Sequence, residues 1–122
     1  MTRDLIFHIT TRSSWERARA SGRYAPPSLE LEGFIHFCAL DQVPGAGDAH
    51  FSGMRDLVLL WVAVDRLEAP LKYERSEAGE VFPHLYGALN ADAVAGTAPF
   101  VEGDNGFELP PGVPAARRRH GP

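Results

Sequence analysis

The sequence predicts a single α+β domain, because short apolar runs typical of strands alternate with short helical patterns along 122 residues. A chain of this length fits one domain and leaves little room for a second. The run over residues 57–64 is apolar on both faces and predicts a central strand. Three further apolar runs each contain a histidine. Strand interiors rarely hold this residue, because burying a polar ring without a partner costs free energy.

The other strand predictions follow from short apolar or alternating patterns. They cover residues 4–10, 34–38, 71–74, 81–86, 100–101 and 107–109. Pro83 has no N–H group, so its strand is expected at a sheet edge or with a bulge. Residues 76–80 predict a polar turn. The proline- and arginine-rich segment 110–122 has no apolar period, which predicts a disordered tail after a globular domain over residues 1–109.

Three segments predict helices, and one segment excludes a helix. Ser13, followed three residues later by glutamate, predicts a capping box for a helix that ends near Gly22. A weaker helix is predicted over residues 41–54, where two glycines lower the helix propensity, and a short stretch over 91–94. The proline pair at 26–27 disfavours a helix and predicts an extended loop before the next strand.

The composition is that of an ordinary globular protein, with 44% hydrophobic and 23% charged residues. The formal net charge of −4 does not favour general nucleic-acid binding, which relies on excess lysine and arginine. No apolar run approaches the ~20 residues that cross a bilayer, and the N-terminus lacks a signal-peptide layout. We therefore expect a cytoplasmic, bacterial protein without a membrane partner. The single cysteine, Cys38, excludes an internal disulfide and a cysteine-based zinc knuckle.

Three of the five histidines, His8, His36 and His84, lie inside predicted strands. If these strands are neighbours, alternate side chains share a face and the rings line one cleft. Imidazole can hold ribose hydroxyls, bind a metal or transfer a proton. For each histidine alone, a hydrogen-bonded residue of the core or its rim is an equally good interpretation. Glu74, at the end of its strand, offers a carboxylate that can stabilise positive charge on a substrate carbon or accept a proton.

Three further polar residues are candidate ligand-binding groups. Thr10 shares a strand face with His8, Ser28 lies in the proline loop, and Tyr86 follows the third histidine. A zinc or iron site made of the histidines and Glu74 is an alternative. The histidines are scattered, however, and lack the local spacing of a metal motif, so no metal is expected.

Longer motifs point to a family. They are Phe7-His8-Ile9-Thr10, Glu32-Gly33-Phe34-Ile35-His36 and Phe82-Pro83-His84-Leu85-Tyr86-Gly87. Together they resemble a bacterial family named domain of unknown function 952, and the resemblance extends over residues 5–94. That family is similar in fold to the ADP-ribosyltransferases and the RNA 2′-phosphotransferases. The resemblance implies a small, split, mostly antiparallel sheet whose cleft takes NAD or an ADP-ribose-like group.

The resemblance also implies roles for single residues. His8 would hold a ribose, His36 would occupy the second motif position, and the third position falls to Glu74 or His84. NAD is then expected as a substrate, and the implied activity is ADP-ribosyl transfer or glycohydrolysis. Two other classes stay open, namely a non-catalytic ligand-binding or interaction module and a metal-dependent hydrolase.

Overall fold

The computed structural model describes residues 3–117 and confirms the α+β class. Its helices are α1 (Arg12–Ser21), α2 (Pro27–Glu32) and α3 (Val43–His50). Its strands are β1 (Arg3–Thr11), β2 (Arg23–Tyr24), β3 (Ile35–His36), β4 (Leu57–Ala63), β5 (Leu71–Arg75), β6 (Val81–Leu85), β7 (Leu89–Asn90), β8 (Val94–Phe100), β9 (Glu102–Gly103), β10 (Gly106–Phe107) and β11 (Ala116–Arg117). Within this part of the chain, no helix has both the length and the apolar character needed to span a membrane.

The strands form a split, mostly antiparallel arrangement, as predicted. The four-stranded sheet has the order β11-β1-β4-β8, in which only β11 runs parallel to its neighbour. The three-stranded sheet has the order β3-β6-β5 and is antiparallel throughout. Two short pairs, β2-β7 and β9-β10, complete the fold. The apolar strand β4 lies between β1 and β8, so the prediction of a central strand is confirmed.

The hydrophobic core lies on both faces of β1 and β4, because successive side chains of a strand point to opposite sides. One face carries Ile6 and Leu60 into a cluster with Ile35 and Leu85 of the three-stranded sheet. The opposite face carries Phe7 into a second cluster, which also includes Phe100 and Phe107. The three-stranded sheet therefore turns one face toward the first cluster, whereas on its other face Phe82 packs against the second cluster and His36 is exposed.

The first helix ends as predicted but begins differently. Thr11, the last residue of β1, is the N-cap of α1, and its Oγ1 accepts the N–H of Ser14 at 3.2 Å. The predicted capping box at Ser13 is therefore wrong, because the helix begins earlier and Thr11 supplies the cap. Gly22 closes the helix in the left-handed conformation with φ of 87°.

The proline pair starts a helix instead of extending a loop. Pro26 is the N-cap of α2 and Pro27 occupies its first position, where the missing N–H has no intrahelical partner to lose. Gly33 ends α2 at a φ of 91°. The predicted extended loop is therefore wrong from Pro27 onward, and the helix carries Ser28 and Glu32.

The expected edge position of Pro83 is wrong, because β6 is the central strand of its sheet. The carbonyl of Pro83 accepts the N–H of Phe37 at 3.0 Å, but the proline has no N–H to return. The pairing of β3 with β6 stops there, since β3 covers only Ile35–His36. Because β3 ends at His36, the missing N–H of Pro83 faces no strand residue that needs it as a donor. A proline can therefore stand in this central strand.

Three other predicted elements differ in extent. The weak helix over 41–54 is a 3₁₀ turn, Leu40–Gln42, followed by α3. The short stretch at 91–94 is a single 3₁₀ turn, Ala91–Ala93. The strand predicted at 100–101 is the end of the seven-residue β8, which pairs with β4 along its length. Its Gly and Pro residues hide the strand pattern from the sequence.

The C-terminal segment carries structure that its composition does not predict. Ala116 and Arg117 form β11, which pairs in parallel with Arg3 and Asp4 of β1. Disorder was predicted over 110–122, and the structure has a short strand within that range, at residues 116–117. Residues 118–122 lie outside the described part of the chain.

We expect Gly96→Ala to destabilise the four-stranded sheet. Gly96 of β8 lies opposite Trp61 of β4, and an added Cβ would overlap the indole ring. Overpacking of this kind costs about 1–3 kcal/mol in the free energy of unfolding, measured in urea. The control is Gly45→Ala in α3, where an added Cβ meets no atom within 4 Å. There we expect a gain of about 0.5–1 kcal/mol from helix propensity. Equal effects at both positions would contradict this packing.

Candidate functional site

The structure brings the side chains of two in-strand histidines together and places the third beneath them. His36 and His84 are direct partners in the pairing of β3 with β6, and their ring centroids lie 5.4 Å apart in an edge-to-face arrangement. Both project from the outer face, because their neighbours Ile35 and Leu85 are fully buried in the core. His8 contacts the main chain of His36 from the inner side, at 2.6 Å from its carbonyl oxygen.

Both ring nitrogens of His8 have partners inside the protein. Nδ1 donates to the carbonyl oxygen of His36 at 2.6 Å, since a carbonyl can only accept. Nε2 lies 2.7 Å from the hydroxyl of Tyr24, and that hydroxyl is also 3.0 Å from Oγ1 of Thr10. The rings of Tyr24 and Phe37 stand against the imidazole, with centroids 5.2 and 5.3 Å away.

Desolvation keeps this network neutral. It lowers the pKa of His8 from 6.5 to about 4, although the hydrogen bond to the His36 carbonyl opposes the shift. Burial also raises the pKa of Tyr24. A neutral His8 that donates through Nδ1 carries a lone pair on Nε2, so this nitrogen can only accept a hydrogen bond. His8 and Thr10 thus belong to a hydrogen-bond network beneath β3. A ribose hydroxyl could bind His8 only by replacing its bond to the His36 carbonyl or to the Tyr24 hydroxyl.

The outer face carries an ionised carboxylate with two donors. Oε1 of Glu74 accepts from the hydroxyl of Tyr86 at 2.6 Å and from Nδ1 of His84 at 2.7 Å. These hydrogen bonds, with that of Tyr86 the larger, lower the pKa of Glu74. The carboxylate in turn raises the pKa of Tyr86. Glu74 and His84 thus belong to one hydrogen-bonded unit, although the sequence presented them as competing candidates.

Aromatic and cationic groups surround this unit. The ring of Phe34 stacks on His84 with a centroid distance of 4.1 Å and an interplanar angle of 20°. It also contacts His36 at 4.9 Å and Tyr86 at 5.3 Å. Nζ of Lys72 lies 4.6 Å from the centroid of the Tyr86 ring. We name as the outer cluster the six residues Phe34, His36, Lys72, Glu74, His84 and Tyr86.

Helix α2 contacts the edge of the outer cluster. Nε2 of His36 donates to Oε1 of Glu32 at 2.9 Å, and both side chains are about half exposed. Such an exposed pair contributes little to stability. The predicted site residue Ser28 also lies on α2 and is half-buried, and its hydroxyl has no hydrogen bond with any described residue. The structure therefore does not join Ser28 to the cluster.

Three residues near the site were missed from the sequence, and each had a readable pattern. Phe34 stands two residues before His36, so both lie on the same face of an extended segment. Lys72 is likewise two residues before Glu74 on β5. Glu32 is four residues before His36, and only a helix ending at Gly33 brings that spacing together.

Neither a metal site nor a nucleophilic thiol finds much support in this geometry. Over residues 3–117, no three His, Cys, Asp or Glu side chains are grouped so that they could hold a metal ion. His36 and His84 each pair with a different carboxylate. Cys38 is buried, and desolvation raises the pKa of its thiol to about 12, with a smaller effect of Asp41. A thiol with this pKa is a poor nucleophile near neutral pH.

The fold and the outer cluster define a small α+β protein with a polar, aromatic face on its three-stranded sheet. The chain belongs to the DUF952 family, described as protein of unknown function, whose sequence profile matches residues 9–97. That range contains all six residues of the outer cluster. No curated protein matches the chain.

Solved structures of one relative share the fold. The crystal structure of protein CC0527 from Caulobacter crescentus is 36% identical, with a TM-score of 0.76, and the alignment covers 84% of this chain and 91% of that chain. The solution NMR structure of CC0527 is also 36% identical, with a TM-score of 0.73 and coverage of 84% and 90%. These comparisons establish family and fold and name no activity.

We expect the imidazole of His8 to titrate with a midpoint near pH 4, observed by ¹⁵N NMR of the ring. Because this pKa lies below the unfolded value of 6.5, the unfolded chain takes up the proton first on acidification. The contribution to stability is complete above about pH 6.5 and is lost as pH falls toward 4, by roughly 3 kcal/mol. A midpoint near 6.5 would contradict the buried network.

We expect Tyr24→Phe to destabilise the protein more than Tyr86→Phe. The first change leaves Nε2 of His8 and Oγ1 of Thr10 without their partner in the interior. Such a loss costs about 1–3 kcal/mol. The second change removes a hydroxyl from the solvent-facing cluster, where water can replace it. Urea unfolding of both variants measures the difference in the free energy of unfolding. Equal losses would contradict a greater contribution of the inner network to stability.

Proposed function

We propose that the outer cluster binds NAD or a related ADP-ribose-bearing nucleotide and acts on the bond between nicotinamide and ribose. The observation that carries this proposal is the carboxylate of Glu74, which Tyr86 and His84 hold at a single oxygen. The side chain of Glu74 is 39% exposed, and Oε2 has no hydrogen bond with any described residue. A charged oxygen is therefore available to a ligand on this face.

The chemistry of glycosidic cleavage suits such a carboxylate. As the bond between C1′ and the nicotinamide nitrogen lengthens, positive charge develops on the ribose ring. A fixed negative charge close to C1′ stabilises that charge more than it stabilises the ground state. The lowered pKa of Glu74 favours its charged form near neutral pH, so no proton has to leave before the reaction.

The neighbours of Glu74 supply contacts of the kinds that a dinucleotide needs. The rings of Phe34 and Tyr86 offer apolar surface for stacking with a planar base. His36 is half exposed and can hydrogen-bond a ribose hydroxyl through Nδ1, because Nε2 is taken by Glu32. Lys72 provides a cation for a phosphate oxygen. In this arrangement His36 takes the ribose-holding role that the family resemblance implies for His8.

A ligand-binding module without turnover would use the same contacts, and it is the second candidate. A metal-dependent hydrolase fits less well, because the two imidazole–carboxylate pairs do not converge on a common point within the described chain. The proposal places the protein in the cytoplasm, where NAD is abundant, with this small molecule as its partner.

We expect NAD and ADP-ribose to bind the purified full chain, detected by calorimetric titration and by a rise in Tm. We expect nicotinamide to be released from NAD, measured by chromatography. Glu74→Gln is expected to lower the rate of release about 100-fold, as loss of one electrostatic contact to a transition state commonly does, with binding retained. Glu16→Gln on the exposed side of α1 is the matched control and should change neither quantity.

The outcomes separate the three classes. Absence of heat and of a thermal shift with every such nucleotide would contradict the proposal. Binding without release of nicotinamide identifies a binding module. Stoichiometric zinc or iron in elemental analysis of the purified protein identifies the metal-dependent class.

A further inference from the structure

We infer that His84 is the proton-accepting base of the outer cluster and that the acceptor in the reaction is an O–H group, in the simplest case water. This inference rests on the proposed function and adds the acceptor class and the role of one residue. The hydrogen bonds of His84 and the enclosure of its ring support it.

The position of the proton on His84 follows from its partner. Oε1 of Glu74 also accepts the hydroxyl of Tyr86, and its ionised form can only accept. Nδ1 of His84, 2.7 Å from the same oxygen, must therefore carry a hydrogen. In the neutral ring the lone pair then lies on Nε2, which points away from Glu74. Nε2 has no hydrogen bond with any residue that the structure describes.

The ring of His84 is held in place by its neighbours. Only 16% of the side chain is exposed, and Phe34 stacks on one face at 4.1 Å. The edge of the ring meets His36 at 5.4 Å. Rotation about the side-chain bonds would break the contact with Phe34 and the hydrogen bond to Glu74 at the same time. The free nitrogen is therefore pre-positioned, which is what general base catalysis requires.

The other two in-strand histidines lack this combination. His8 uses both nitrogens inside the protein. His36 also pairs with a carboxylate through one nitrogen, but 52% of its side chain and half of Glu32 are exposed. Water competes for that pair, so it holds the ring of His36 less firmly than Glu74 and Phe34 hold the ring of His84. Among the three, only His84 joins a shielded ring, a carboxylate partner and an unoccupied nitrogen.

A base of this kind is needed only when the attacking group carries a proton. In the reaction the bond between C1′ and the nicotinamide nitrogen breaks, and its electron pair neutralises the pyridinium ring. The oxygen of water or an alcohol forms the new bond to C1′, and its proton passes to Nε2 of His84. Glu74 stabilises the resulting imidazolium through Nδ1–H, and the proton then leaves to solvent. With water the products are ADP-ribose, nicotinamide and one proton.

The pH dependence of this step has to be assigned among nearby groups. Those that face or adjoin His84 are Glu74 and Lys72 on β5, His36 on β3, Glu32 beyond His36, and Tyr86 after β6. Protonation of His84 removes the base, so the rate should fall toward acid pH. A variant without this imidazole should lose that decline.

The first experiment compares His84→Gln with His50→Gln, an exposed histidine at the end of α3 and outside the cluster. NAD cleavage by His84→Gln is expected to be about 10²–10⁴-fold slower, with NAD binding retained and no acid decline in the residual rate. His50→Gln should match the wild type. In a water–methanol mixture the wild type should also yield the methyl glycoside of ADP-ribose, because methanol is an O–H acceptor.

The second experiment reads the tautomer directly by ¹⁵N NMR of the histidine rings. Wild-type His84 should show hydrogen on Nδ1 and a bare Nε2, and Glu74→Gln should reduce this preference. Hydrogen on Nε2 in the wild type would overturn the inference, even if His84→Gln fails to fold. The inference would also be overturned if the wild type cleaves NAD and His84→Gln cleaves it at the same rate and with the same decline toward acid pH. In that case the proposed function would still stand. Failure of the wild type to bind or cleave NAD would overturn both.

Discussion

The burial of one cross-strand pair determines where this protein presents its chemistry. Ile35 and Leu85 face each other in the pairing of β3 with β6, and both are fully buried in the core. Since adjacent residues of a strand point to opposite faces, the next pair, His36 and His84, must face outward. Burial of the apolar pair, at about 25 cal/mol per Å² of apolar surface, thus holds the polar pair at the surface.

The inner histidine supports this arrangement from below. His8 hydrogen-bonds the carbonyl of His36 and the hydroxyl of Tyr24, so its ring connects β1 to β3 and to β2. Both ring nitrogens have partners within the protein and the ring is neutral, so its hydrogen bonds are satisfied without a ligand. The three in-strand histidines therefore divide into one that hydrogen-bonds beneath β3 and two that belong to the outer cluster.

Much of this was readable from the sequence. Short apolar or alternating patterns correctly placed β1, β5 and β6, and a run that is apolar on both faces correctly placed β4. The failures have tertiary causes. Pro27 fits a helix because it occupies the first position, and Pro83 fits a central strand because the partner strand is only two residues long. The contact between the ring of His8 and Tyr24 could not be predicted, because no sequence pattern specifies that these two residues meet.

The main chain and the side chain of His36 serve different ends. Its carbonyl holds the interior ring of His8, whereas its imidazole lies at the surface beside Glu32 and His84. Every amino acid supplies such a carbonyl from its main chain, whatever its side chain. The surface group at this position can therefore be exchanged without loss of the hydrogen bond that anchors the ring of His8 to β3.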